Sequence, residues 1–111
     1  MKSVDLFMEL VGTYRKHGWN LRSALLRPAT QAVLEQHDAQ LLDHVKVKEA
    51  GFDALWFSRP SFNNRDAWEL RLMAQTQYAL FETFEADETE EERDEVRAEM
   101  EARLRDYAQG K

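Results

Sequence analysis

Apolar and polar residues alternate in two stretches near the middle of the chain, Leu55-Trp56-Phe57-Ser58-Arg59 and Ala67-Trp68-Glu69-Leu70-Arg71-Leu72-Met73. A period of two is the signature of strands with one face buried. The segment 60–66 between them is rich in turn formers, and Asn63-Asn64 suits the positive φ angles of a two-residue type I′ turn. With those residues at the turn, the predicted hairpin register sets Phe57 opposite Leu70, Leu55 opposite Leu72 and Arg59 opposite Trp68 on one face. Trp56 then meets Arg71 and Ser58 meets Glu69 on the other. A third strand over 78–84, reached through a turn centred on Gln75 and Thr76, is predicted to set Phe81 against Leu70, Ala79 against Leu72 and Glu82 against Glu69. Residues 54–84 thus read as a three-strand meander, and the rest of the chain is arranged around it.

On the N-terminal side, Val4, Phe7, Leu10, Val11 and Tyr14 follow the three-and-four spacing of one buried helix face, begun at Ser3 and stopped by Gly18. The alternation over 19–25 predicts a strand with Trp19, Leu21, Ser23 and Leu25 on one side and Asn20, Arg22 and Ala24 on the other. Pro28 opens a short helix running to about Gln36. Residues 41–50 fit a helix or a strand; two valines alternating with lysines over 44–48 favour an edge strand whose lysines discourage further pairing.

Asp87 followed by Glu90 resembles a capping box and predicts a long acidic helix over 88–108. Its apolar stripe is only Val96, Met100, Leu104 and Tyr107, so it should dock shallowly, with Glu99 to Arg103 and Glu101 to Arg105 as supporting pairs. The order α-β-α-β-β-β-β-α argues for one α+β domain over 1–111, a mostly antiparallel sheet with helices covering one face.

Composition narrows the function classes. A chain of 111 residues can bury roughly 65% of its unfolded surface without staples, and the absence of cysteine removes disulfide and thiolate chemistry. Asp5 and Glu9 interrupt any signal-peptide core, and no apolar run reaches membrane-span length, so the reading is of a soluble cytoplasmic protein. Net charge is −6, and residues 85–111 hold 11 acids against 5 bases, which places all of it in the terminal segment. That balance argues against nucleic acid or acidic membrane as partner.

No catalytic motif is legible. Histidines His37 and His44 with Asp38 and Asp43 lack metal-ligand spacing, so no metal is expected. Ser58 has no nucleophile elbow around it. The glycines form no phosphate loop, and no cofactor is expected.

With 3 Trp, 6 Phe and 3 Tyr, the chain is rich in aromatics. The predicted register leaves Trp56 beside Arg71, with Ser58, Arg59, Glu69 and Arg22 nearby, as a candidate ligand or partner patch of the aromatic-arginine kind that carries binding hot spots. Arg59 is expected against Trp68 on the opposite face. The leading functional reading is a non-enzymatic interaction or scaffold module. Its partner would be a protein or a second copy in a homodimer, because the sheet edge and the terminal helix leave surface to cover. The alternative is a protein that holds a small anionic ligand, or an enzyme acting on one, through Arg22, Arg59 and Arg71 in an aromatic pocket.

Overall fold

The computed structural model describes residues 2–110, in the order α1 (Lys2–Lys16), β1 (Asn20–Leu26), α2 (Pro28–His37), β2 (Lys46–Glu49), β3 (Ala54–Pro60), β4 (Asp66–Leu72), β5 (Ala79–Phe84) and α3 (Glu90–Ala108), with a short 3₁₀ turn at Phe62–Asn64. The strands form one five-stranded sheet, β2-β1-β3-β4-β5, antiparallel throughout except between β1 and β2. This is the α+β architecture and element order that the sequence predicts. The one parallel pair requires a crossover, and α2 supplies it.

Strand β3 lies at the centre, and every side chain from Ala54 to Ser58 is buried. Helices therefore cover both faces, not one. On the first, α1 and α2 pack Val4, Phe7, Leu10 and Leu34 against Ala24, Leu55 and Phe57. On the second, α3 packs Met100 and Leu104 against Leu25, Trp56, Leu70 and Leu72.

The hairpin turn forms with Asn63 and Asn64 at φ 58° and 60°, closed by the Arg65 N–H donating to the Phe62 carbonyl at 3.1 Å. The register beyond it differs from the prediction by one residue. Ser61 N–H donates to Arg65 O at 2.8 Å, so Ser61 and Phe62 both oppose Arg65 in a bulge. From there Pro60 pairs with Asp66, Ser58 with Trp68, Phe57 with Glu69, Trp56 with Leu70 and Leu55 with Arg71.

Proline gives the reason. In the two-residue hairpin, hydrogen-bonded pairs would fall at 62/65 and 60/67, and Pro60 would have to donate an N–H it lacks. The bulge moves it to a position that needs none.

Strand β5 is shifted likewise. Leu80, not Phe81, lies opposite Leu70, while Phe81 faces Glu69 and Glu82 faces Trp68. The shift removes the like-charge pair of Glu69 with Glu82. In β1 a bulge at Arg22 breaks the predicted alternation, since Leu21 pairs with Phe57 but Ser23 with Trp56. Leu21 consequently packs on the α1 face and Leu25 on the α3 face.

The terminal helix is capped by Thr89 and Glu92 instead of Asp87 and Glu90: the Glu92 N–H donates to Thr89 Oγ1 at 3.1 Å and the Thr89 N–H to Glu92 Oε1 at 2.9 Å. The predicted stripe docks as narrowly as expected, with only Met100 and Leu104 buried. Glu101 is not paired with Arg105; it turns to the sheet.

A buried carboxylate ties the crossover to the central strand. Asp53, 8% exposed, accepts from the Arg27 N–H, Nε and Nη2 and from Thr30 Oγ1 at 2.8–3.2 Å. Thr30 is itself buried, so removing Asp53 leaves its hydroxyl proton without this acceptor, and the Thr30 oxygen keeps only the bond it accepts from Arg27 Nη2 at 3.3 Å. Asp53→Ala should therefore lower unfolding free energy by about 2–3 kcal/mol, read in urea as a fall in midpoint at unchanged m-value. A loss below about 0.5 kcal/mol would show that water replaces the carboxylate.

Candidate functional site

The register shift divides the predicted patch between the two faces of the sheet. Arg22, Trp56 and Ser58 lie on the α3 face; Arg59, Glu69 and Arg71 lie on the α1 face. Trp56 and Arg71 are not cross-strand neighbours, because residues of odd and even number on β3 and β4 point to opposite sides. Ser58 accordingly faces Trp68 and not Glu69, and is buried.

On the α3 face, the two indoles meet edge to face, Trp56 to Trp68 at 5.9 Å and 73°. Trp56 is almost wholly buried, and its Nε1–H donates to Glu101 at 2.9 Å. The Arg97 guanidinium lies 4.5 Å from the Trp68 ring centroid and that of Arg22 5.7 Å. Above them opens a cleft of about 610 Å³.

One wall carries Arg22, Lys46 and Lys48 from β1 and β2. The other carries Glu90, Asp94 and Glu101 from α3. Much of this charge is neutralised internally: Lys48 pairs with Glu101 at 3.2 Å, and Arg97 with both Glu90 and Asp94. Among the described residues Arg22 and Lys46 make no ion pair.

On the α1 face, Tyr14 stacks on Phe57 with ring centroids 4.0 Å apart and donates its hydroxyl to Glu69. Arg71 Nε donates to the Leu72 carbonyl at 3.0 Å, close enough for its charge to act on Tyr14. Arg59 does not approach Trp68. Its guanidinium lies 4.6 Å from the Trp19 ring centroid and donates to the His17 carbonyl at 2.7 Å, where positive charge suits the end of α1. Trp19 in turn meets Phe81 edge on at 6.2 Å.

Phe81 itself is 58% exposed, because α1 and α2 pack over β1 and β3 and leave the outer part of this face bare. Ala79 beside it is exposed as well. Tyr14, Lys46, Phe81, Arg97 and Glu101 escape a reading of the sequence patch, although Tyr14 is legible as the last member of the α1 stripe. Phe81 carries no such signal, since its face depends on a register that only the folded loop sets.

Among the described residues no helix is long and apolar enough to cross a membrane. The Tyr14 contacts predict an alkaline dependence. Burial first, then the bond to Glu69, hold its pKa above the ordinary value of 10.0. The unfolded chain then releases this proton before the folded one does, so the Tyr14 contribution is complete below about pH 10 and is lost as pH rises from there. Wild-type stability should fall relative to Tyr14→Phe from about pH 10 to about pH 11, roughly the first unit above the free tyrosine value; parallel curves would place the hydroxyl in water. No family model, curated protein or solved structure matches the chain.

Proposed function

We propose that the protein is a non-enzymatic interaction module that accepts an extended polypeptide segment along β5. The observation carrying this reading is the open outer edge of β5 beside the exposed Phe81. Leu72 N–H donates to Tyr78 O at 2.9 Å, so by alternation the backbone groups of Leu80, Glu82 and Phe84 turn toward β4, and those of Ala79, Phe81 and Thr83 turn outward. In keeping with this, the Thr83 N–H meets the carboxylate of its own neighbour Glu82, at 3.2 Å.

An edge of this kind is a template for strand addition, main-chain bonds supplying affinity and alternate side chains specificity. The opposite edge differs. Strand β2 is four residues long and carries Lys46 and Lys48, the usual means of keeping an edge unpaired.

A second reading, a small anionic ligand in the α3-face cleft, is favoured by Arg22 against the Trp68 ring and Lys46 on the same wall of the cleft, neither of which makes an ion pair among the described residues. The two separate cleanly. Selection of a phage-displayed library of random peptides against the protein should enrich sequences with apolar residues at alternate positions, and Phe81→Glu should weaken their binding at least tenfold, about 1.4 kcal/mol. No enrichment, together with thermal stabilisation by phosphate or an aromatic carboxylate that Arg22→Ala removes, would transfer the function to the cleft.

A further inference from the structure

We infer that the strand which β5 accepts is β5 of a second copy, added antiparallel about a two-fold axis with Phe81 opposite the partner's Phe81. This rests on the reading of β5 as a strand acceptor and names the donor.

The chain's own pattern restricts the register. Odd-numbered side chains of β5 lie on the α1 face and even-numbered ones on the α3 face. When the axis runs perpendicular to the sheet, residues directly opposite must share a face, so only odd-with-odd and even-with-even pairings are possible. The outward backbone groups, those of Ala79, Phe81 and Thr83, must form the hydrogen-bonded pairs.

Centring the axis on Phe81 uses all of them: Ala79 with the partner's Thr83, Phe81 with the partner's Phe81, and Thr83 with the partner's Ala79. Moving the axis to Leu80 or to Glu82 leaves one of these residues beyond the paired region. The second choice also opposes Glu82 to the partner's Glu82, and like charges directly opposite are destabilising.

The register centred on Phe81 brings the two exposed phenyl rings together on the α1 face. It sets Leu80 along the stem of the partner's Glu82 on the other. The Glu82 carboxylate gives up only an exposed bond to its neighbouring amide. Apart from Glu82, β5 carries none of the usual guards of an edge, for Ala79-Leu80-Phe81-Glu82-Thr83-Phe84 contains no lysine, proline or bulge. The contact is isologous and doubles the sheet. It also moves the expected dimer surface away from the Val-Lys edge of β2.

Sedimentation equilibrium at 100 µM, a concentration at which even a weak dimer with a dissociation constant of about 10 µM is about four-fifths formed, should give a mass approaching twice the 13.1 kDa of one chain, and Phe81→Glu should give the monomer with unchanged circular dichroism. The chain has no cysteine, so thiols can be placed freely. In the double variant Ala79→Cys/Thr83→Cys the two thiols lie about 13 Å apart on one strand and cannot join within it. Across the axis their Cα atoms would be about 5.5 Å apart, within disulfide reach.

Mild oxidation should therefore yield covalent dimers from the double variant and none from either single one. A wild-type monomer at 100 µM overturns the inference, as does a Phe81→Glu dimer, or cross-linking by a single variant as efficient as by the double. If the wild type is monomeric yet selected peptides still bind along β5, this inference falls and the strand-acceptor reading stands. If neither occurs, both fall.

Discussion

Without an amide hydrogen, Pro60 cannot occupy a hydrogen-bonded position in the ladder between β3 and β4. The chain answers with one extra residue at Ser61-Phe62, and that bulge fixes which side of the sheet every later side chain takes. Leu55 and Phe57 go to α1; Trp56, Trp68 and Leu70 go to α3. In the unshifted alignment Leu55, Phe57, Leu70 and Leu72 would share one face and leave the other to Trp56, Arg71, Ser58 and Glu69, a surface too polar to seat a helix. The shift instead divides the apolar residues between two cores, and α3 docks because the second core exists.

That docking is of an unusual composition. Two buried aliphatic side chains, Met100 and Leu104, are supplemented by guanidinium groups of Arg93 and Arg97 laid against Phe84 and Trp68 at 5.5 and 4.5 Å. The ion pair of Lys48 with Glu101 adds direction more than energy, since exposed pairs contribute about 0–1 kcal/mol, and the less exposed Arg93 also pairs with Asp66 at 2.9 Å. Guanidinium contacts with rings reach about 2 kcal/mol when desolvated, and the Arg97 side chain is only 13% exposed. Arginine therefore acts here as part of the packing. On the α1 face no helix reaches the outer strand, so Phe81 stays in water and β5 keeps a free edge.

The elements themselves are legible in the sequence because local signals specify them: the stripe of α1 ending at Gly18, Pro28 at the start of α2, the lysine-flanked valine of β2, and Asn63-Asn64 in the turn. Register is a different kind of information. It depends on a count of residues through bulges at Arg22 and at Ser61-Phe62, and one residue inverts a face. The Pro60 constraint was present in the sequence and is sufficient to exclude the two-residue hairpin once hydrogen-bonded positions are counted. The bulge at Arg22 has no comparable local cause. The candidate patch failed as a single surface for the same reason, since its membership assumed the unshifted register.

The register is directly observable. Arg65 bonding with Ser61, and Met73 with Asp53 at 2.9 Å, place the odd-numbered residues of β3 in hydrogen-bonded pairs. The intervening pairs, Ala54 with Leu72, Trp56 with Leu70 and Ser58 with Trp68, then have Cα atoms about 4.5 Å apart. Proton NMR should show strong Hα–Hα contacts between the residues of each of these pairs. Such contacts between Leu55 and Leu72 or between Phe57 and Leu70 would contradict the bulge at Ser61-Phe62, and with it the two-core arrangement that seats α3 and leaves Phe81 exposed.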